Sequence, residues 1–141
     1  MIKKTSTEDM KSLENLERLC FPSENWNFAQ IVSHHDMHSS LLYFPDDFTS
    51  PVGYLLYSET SFELEILRLG VLNDFRRRGI AERLLDSLIE FVDMRDIILE
   101  VNCENSPAIE LYKKKDFINY AVRKRYYPDG KDAILMKKEH K

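Results

Sequence analysis

The feature that most constrains the fold of this chain is a change of hydrophobic period near residue 73. Residues 62–72, FELEILRLGVL, begin with alternating apolar and polar side chains, which predicts the longest strand. Asn73 and Asp74 interrupt the strand, and from Arg77 the apolar residues recur at helical spacing as far as Val92. A strand that leads through a short loop into an amphipathic helix is typical of α/β folds.

The same patterns predict the other elements. We predict helices over 7–20 and 26–34, one starting near 77 and one starting at 105–107, and strands over 2–5, 41–44, 52–57, 62–72, 97–101, 117–122 and 132–136. Ser6 followed by Asp9 resembles a capping box at the start of the first helix. A turn at 45–47 is expected to join the strands over 41–44 and 52–57 into a hairpin. The order β-α-α-β-β-β-α-β-α-β-β predicts an α/β sandwich, a mixed central sheet with helices on both faces. The apolar run IILEV at 97–101 predicts a strand that is buried on both faces. With no linker or repeat in 141 residues, we expect one domain over 1–141.

Charge and composition narrow the class of partner. The formal net charge of -4 does not favour nucleic acid, so the basic clusters must be interpreted locally. The first ten residues lack an apolar signal core, and the chain has no apolar run of membrane-spanning length. The two cysteines, Cys20 and Cys103, are far apart in sequence, which is typical of reduced thiols. We therefore expect a cytoplasmic protein without membrane or nucleic-acid contacts.

The loop between the central strand and its helix, in DFRRRGIAERLL (74–85), is suited to binding an anion. The first turn of a helix has backbone N–H groups without intrahelical partners, and these can hold a pyrophosphate. Gly79 lets the backbone approach a ligand closely, and Ala81 keeps the next turn slim. The arginines can add bidentate contacts. The alternative interpretation is a solvated basic helix start that contains a glycine.

The pattern Arg-x-x-Gly-x-Ala, formed by Arg76, Gly79 and Ala81, resembles the Gln/Arg-x-x-Gly-x-Gly/Ala segment of the GNAT N-acetyltransferase superfamily. The predicted element order is similar to that superfamily's fold over nearly the whole chain. The resemblance implies that acetyl-CoA is the acetyl donor. It implies a pyrophosphate-binding loop at Arg76, Arg77, Arg78, Gly79, Ile80, Ala81 and Glu82. It also implies that the strand backbone at Leu69, Gly70 and Val71 pairs with the pantetheine arm.

Three further segments resemble the RimI family, the bacterial ribosomal-protein-alanine N-acetyltransferases. LEVNCENSPAIELYKKKDF (99–117) is similar to the family's L-E-V-x-x-x-N-x-x-A-x-x-L-Y-x-x-x-G-F. CFPSENW near residue 21 resembles the A-F-P-W-S opening of the acceptor side, and RKRYYPDGKDAILM resembles the family's ending. The resemblance implies acetylation of a protein N-terminus, the alanine of a ribosomal protein, by a monomer or weak dimer. It also implies that Tyr126 and Tyr127 shape the acceptor groove.

Within this resemblance, Glu100 matches the proton acceptor and Tyr112 the proton donor to the coenzyme thiolate. From the residues alone, a glutamate inside IILEV is either buried, which would favour its protonated form, or an outward charge on a solvated face. Tyr112 lies on the apolar side of its helix, where core packing explains it as well as catalysis does. Asn105 is the expected helix N-cap, and the family adds a coenzyme contact to that role.

Other residues leave alternatives open. Glu63 and Glu65 on the long strand are runner-up bases, and they could equally attract a cationic acceptor. His34, His35 and His38 form a weak metal-like pattern that lacks an evident further ligand, so we expect no metal.

The family pattern is not matched everywhere, and the activity has alternatives. Asp116 replaces a family glycine, and aspartate tolerates the left-handed backbone that this turn requires. The acceptor side, roughly residues 22–40, departs most from the family. The alternatives are therefore acetylation of a small-molecule amine or a lysine side chain, and a non-catalytic acyl-CoA-binding module.

Overall fold

The computed structural model describes residues 1–46 and 50–140. Over these ranges it contains four α-helices and seven strands in the predicted order. The elements are β1 Ile2–Lys4, α1 Met10–Cys20, α2 Phe28–Met37, β2 Ser39–Tyr43, β3 Gly53–Glu59, β4 Glu63–Val71, α3 Ile80–Phe91, β5 Asp96–Asn102, α4 Ser106–Lys114, β6 Ile118–Arg123 and β7 Ala133–Lys138. The predicted turn at residues 45–47 extends to Asp47, which lies outside the described residues. No helix among the described residues has the length and apolar character needed to cross a bilayer.

The first two helices begin at polar side chains that satisfy free backbone groups. The Asp9 carboxylate accepts a hydrogen bond from the Ser6 N–H at 2.8 Å, and a short 3-10 turn, Thr7–Asp9, precedes α1. At α2, the Asn27 Oδ1 accepts from the Gln30 N–H at 2.9 Å, and the Gln30 Oε1 accepts from the Asn27 N–H at 2.8 Å. This reciprocal cap fixes the start of α2 at Phe28, later than the predicted residue 26.

The strands form one mixed sheet in the order β1-β2-β3-β4-β5-β7-β6. β4 and β5 are parallel, with Ile66 opposite Leu99, whereas β1–β2, β2–β3, β5–β7 and β6–β7 are antiparallel. The predicted β2–β3 hairpin and the mixed sheet are confirmed. β4 has nine residues and is the longest strand, as expected from the alternation in its sequence.

The prediction that β5 is buried on both faces is wrong. Ile97, Leu99 and Val101 are 1%, 2% and 6% exposed, whereas Ile98 and Glu100 on the other face are only partly buried. The strand therefore has one core face and one half-exposed face. The sequence IILEV is almost entirely apolar because Ile98, on the less buried face, is also apolar. The alternation between the two faces is therefore not visible in the sequence.

The chain packs into two compact units that share β4. One comprises Met1–Ser58 with Arg68–Phe91, and the other comprises Glu59–Leu67 with Val92–Lys141. In the first unit, fully buried leucines from the helices and strands form the core, among them Leu13, Leu16, Leu42, Leu55, Leu56, Leu84 and Leu85. In the second unit, the buried side chains include Leu64, Leu99, Tyr112, Phe117 and Met136.

Candidate active site

The predicted phosphate loop, residues 76–82, lies in the first unit and runs from the connection after β4 into the first turn of α3. Two of its residues have left-handed backbone angles, Arg77 with φ 63° and Gly79 with φ 77°. A Cβ atom on Gly79 would meet no heavy atom within 4 Å, so the backbone angle, rather than crowding in the protein, explains this glycine. The Arg83 N–H donates to the Gly79 carbonyl at 3.0 Å and closes the first helical turn.

Two arginines of the phosphate loop contact neighbouring groups of the protein in addition to giving the loop its positive charge. Arg76 Nε donates to the Val71 carbonyl at 2.9 Å and so fixes the end of β4. The Arg78 guanidinium lies 5.2 Å from the centre of the Phe75 ring. The loop therefore has a defined backbone conformation and a positive charge at the start of a helix. Both features suit the binding of a pyrophosphate.

The strand segment before the loop is closely packed at Gly70. This residue is buried, and a Cβ atom there would lie 2.7 Å from Tyr54 Cε1 and 3.2 Å from Cys20 Cβ. Burial raises the pKa of the Cys20 thiol, although the nearby Arg76 charge opposes this effect. The thiol therefore favours its neutral form and acts here as a packing group.

In the second unit, a carboxylate cluster comprises Glu65, Glu100, Arg123 and Tyr126. Glu65 lies opposite Ile98 in the β4–β5 register, which places its side chain on the same sheet face as Glu100. Arg123 Nη2 lies 3.4 Å from Glu100 Oε1, and the Glu100 carboxylate raises the pKa of Tyr126. Glu100 is 21% exposed, so it is an ion-paired, partly solvated carboxylate.

The electrostatics of the cluster act on Glu65. Burial raises the pKa of Glu65, and the Glu100 and Glu63 charges raise it further, against the opposing effect of Arg123. A carboxyl with a raised pKa is the stronger base once it is ionised. The sequence does not indicate the pairing of Arg123 with Glu100, because it depends on the position of β6 in the sheet.

Helix α4 carries the remaining predicted residues. Asn105 Oδ1 accepts from the Ala108 N–H at 3.3 Å, which confirms the predicted N-cap. Tyr112 is 5% exposed, and its ring lies 5.4 Å from that of Phe117. Burial raises the pKa of Tyr112 above its ordinary value, so its hydroxyl keeps its proton. Asp116 has φ 70°, which confirms the predicted left-handed turn.

The histidines have structural contacts. His34 is buried, its Nε2 lies 2.8 Å from the Ser39 carbonyl oxygen, and its ring centre lies 5.2 Å from that of His38. Burial lowers the pKa of His34 and favours the neutral ring. In residues 1–46 and 50–140 there is no group of three or more metal-ligating side chains that could hold an ion.

Comparison with known proteins places this chain in a family. Residues 9–117 match the acetyltransferase (GNAT) family. An N-alpha-acetyltransferase from Saccharolobus solfataricus is 32% identical over 92% of this chain and 86% of that protein. A [ribosomal protein bS18]-alanine N-acetyltransferase from Salmonella typhimurium is 36% identical over 52% of this chain and 54% of that protein.

The fold agrees with these sequence matches. The crystal structure of the ribosomal-protein-S18-alanine N-acetyltransferase from Escherichia coli superposes with a TM-score of 0.89 at 24% identity, covering 97% of this chain and 91% of that one. At this identity the structural likeness establishes the fold alone. Family membership is established by the family match, which spans most of the chain. The chain therefore belongs to the GNAT family and is an acetyl-CoA-dependent N-acetyltransferase.

Proposed function

We propose that this enzyme acetylates the α-amine of a protein N-terminus, with the N-terminal alanine of a ribosomal protein as the first acceptor to test. The carboxylate cluster carries the proposal, because Glu65 and Glu100 share a sheet face and can attract a cationic amine and accept its proton. The archaeal N-alpha-acetyltransferase, similar over most of the chain, supports an α-amine acceptor. The ribosomal acceptor rests on the RimI-like segments and on the match to half of the Salmonella enzyme.

We assign donor binding to the phosphate loop and to the end of β4. The phosphate loop holds the pyrophosphate of acetyl-CoA, with Glu82 at its edge, and the backbone of Leu69, Gly70 and Val71 pairs with the pantetheine arm. Asn105 adds a coenzyme contact to its role as a helix cap. Left-handed geometry at Arg77 and Gly79 supports this assignment, because it shapes the chain just before the helix start.

The chemistry needs a neutral amine and a protonated leaving group. An α-amine has a pKa of about 8, so about a tenth is already neutral near pH 7. Glu100 accepts the ammonium proton, and the amine nitrogen attacks the thioester carbonyl carbon, forming the amide C–N bond as the C–S bond breaks. Tyr112 gives its proton to the departing thiolate, and the second proton, which the nitrogen loses as the amide forms, restores the Tyr112 hydroxyl by way of solvent. Backbone N–H groups of β4 polarise the thioester carbonyl.

One alternative acceptor is kept because a specific feature favours it. The acceptor side departs most from the RimI-like pattern, which leaves a small-molecule amine or a lysine side chain as the acceptor. The non-catalytic acyl-CoA-binding module is not kept, because the chain belongs to an acetyltransferase family. The presence of a carboxylate cluster and a protonated Tyr112 argues against the module.

The test is a competition among matched acceptors. The enzyme and acetyl-CoA are incubated with an Ala-starting peptide, the same peptide with a blocked N-terminus and an internal lysine, a polyamine, and candidate ribosomal proteins, followed by intact-mass analysis. We expect one added acetyl group on the free Ala N-terminus. Preferred modification of the polyamine or lysine would contradict the proposal, and so would coenzyme binding without turnover of any of these acceptors. Cytoplasmic location and a monomer or weak dimer stay predictions.

A further inference from the structure

The first unit contains a fully buried carboxylate that the proposed chemistry does not use. Glu17, on α1, is 0% exposed. Its Oε1 accepts from the Tyr54 hydroxyl at 2.6 Å, and its Oε2 accepts from the Trp26 N–H at 2.6 Å. Arg68 Nε lies 3.2 Å from Glu17 Oε1. Burial of a charge is unfavourable unless it is paired and hydrogen-bonded, so this arrangement fixes the groups around Glu17 in specific positions.

Arg68 connects this carboxylate to a neighbouring loop. It lies on β4 directly before Leu69, and we name residues 21–27, FPSENWN, the acceptor segment. Arg68 Nη2 donates to the Glu24 carbonyl at 2.6 Å, and Nη1 lies 3.8 Å from the Glu24 carboxylate. The guanidinium lies 4.5 Å from the centre of the Phe21 ring. One planar cation thus contacts Glu17 together with two residues of the acceptor segment.

Glu17 and Arg68 hold the acceptor segment from two directions. Glu17 fixes the Trp26 backbone near its end, whereas Arg68 fixes Phe21 and the Glu24 carbonyl nearer its start. Arg68 is only 16% exposed, so water competes weakly for these contacts. The segment is therefore held in one shape by buried charged groups.

We propose that Arg68, oriented by Glu17, is a positioning residue for acceptor binding, because it holds residues 21–27 in the shape that receives the peptide N-terminus. The inference rests on the proposed function, in which this segment belongs to the acceptor side. Arg68 need not contact the acceptor. Its effect is on the affinity for the acceptor, through the geometry of the segment that it anchors.

The test substitution is Arg68→Lys, which keeps the charge but loses the planar fork that reaches Glu17 and Glu24 together. We expect the KM for the Ala-starting peptide to rise about tenfold, with kcat and the Kd for acetyl-CoA changed less than about twofold. Amide hydrogen exchange over residues 21–27 should accelerate, including the Trp26 N–H. A merely structural role would instead lower the active fraction, and so kcat for every acceptor, at constant KM.

Arg95→Lys is the matched control. Arg95 is 22% exposed and makes the same kinds of contact, with Nε donating to the Val92 carbonyl at 3.0 Å and Nη1 to the Glu59 carboxylate at 2.7 Å. We expect this variant to lower the thermal midpoint without changing the KM for the peptide. An equal rise in KM for Arg95→Lys would overturn the assignment to Arg68.

A second variant, Glu17→Gln, separates the outcomes further. Its amide oxygen can still accept from the Trp26 N–H, and its NH2 group can donate to the Tyr54 hydroxyl oxygen, which reverses that bond. The change removes the charge that orients Arg68, so the KM should rise in the same direction. Adding Arg68→Lys to Glu17→Gln should then raise KM by much less than it does alone. If the wild type acetylates the peptide and neither variant changes its KM, only this inference fails. If the wild type acetylates no peptide, the proposed function fails and this inference fails with it.

Discussion

The ring of Tyr54 occupies the space that a side chain on Gly70 would need, with Tyr54 Cε1 only 2.7 Å from the position of a Cβ atom. The hydroxyl of the same tyrosine donates to the buried Glu17 carboxylate at 2.6 Å. The hydroxyl end of the ring is thus fixed by its packing against Gly70 and by the hydrogen bond to Glu17. This relationship explains why the proposed pantetheine-binding strand has a glycine here, although the φ of Gly70 is not in the left-handed region.

We expect Gly70→Ala to be destabilising and to weaken donor binding. The added methyl group forces either the Tyr54 ring or β4 to move, and such overpacking costs about 1–3 kcal/mol of unfolding free energy. Urea denaturation measures the stability, and calorimetric titration with acetyl-CoA measures the Kd. If Gly70→Ala has the stability of the wild type and the same Kd for acetyl-CoA, the prediction is wrong.

Gly79→Val should weaken acetyl-CoA binding more than neutralising any single loop arginine, for example Arg77→Gln. Valine at φ 77° costs at least about 1–2 kcal/mol of backbone strain, which distorts the start of α3. Gly130→Val is the matched control, because Gly130 has φ 79° and equally open surroundings. We expect it to lose comparable stability while the Kd for acetyl-CoA stays unchanged. A milder effect of Gly79→Val than of Arg77→Gln would make the arginine charges the main source of affinity.

The order of elements was predictable because each has a strong local signal. The helical stripe of α3, the caps of α1 and α4 and the alternation in β4 are all visible in the sequence. The two-sided burial of β5 was predicted wrongly, because an apolar run such as IILEV does not reveal which of its residues face the core. Ile98 is apolar and only partly buried, because its exposure depends on what packs against that face of the sheet.

The candidate site was predictable only where its residues form local motifs. The phosphate loop and the α4 cap are short in sequence, so spacing identifies them. The pairing of Glu100 with Arg123 joins residues from two strands, and the burial of Glu17 depends on groups from three different elements. Interactions between distant residues of this kind depend on strand register and on packing, which one sequence does not display.

Kinetics of the two cluster carboxylates should separate their roles. With Glu100 as the proton acceptor, Glu100→Gln lowers kcat by about 10²- to 10⁴-fold, the usual contribution of general base catalysis, and Glu65→Gln costs much less. The pH dependence of kcat is measured for both variants. If Glu65→Gln instead abolishes activity while Glu100→Gln only moves the acidic limb to lower pH, Glu65 is the base. That shift would follow because removing the Glu100 charge lowers the pKa of Glu65.

The stability of the protein should depend on Glu65 in a pH-dependent way. The folded state raises the pKa of Glu65 above 4.5, its ordinary value, so the folded state binds this proton more tightly than the unfolded state does. The unfolding free energy therefore falls as the pH rises from the ordinary pKa of Glu65 through its raised pKa in the folded state. Glu65→Gln removes this loss of stability, because the variant has no carboxyl group to ionise. We expect the variant to be more stable than the wild type at pH 7, with a smaller difference below pH 4.5. Glu63→Gln, at the exposed start of β4, is the control and should change the profile less.

Tyr112→Phe tests the proposed proton donor with little structural disturbance. Phenylalanine keeps the ring packed against Phe117, so the thermal midpoint should stay close to that of the wild type. Loss of the hydroxyl removes the proton for the thiolate, and we expect kcat to fall by about 10²-fold or more at an unchanged Kd for acetyl-CoA. Because burial raises the pKa of Tyr112, the wild-type kcat should show no basic limb from this group up to about pH 10, the ordinary pKa of tyrosine. Full activity of Tyr112→Phe, with its fold confirmed by the thermal midpoint, would assign the leaving-group proton to another residue or to water.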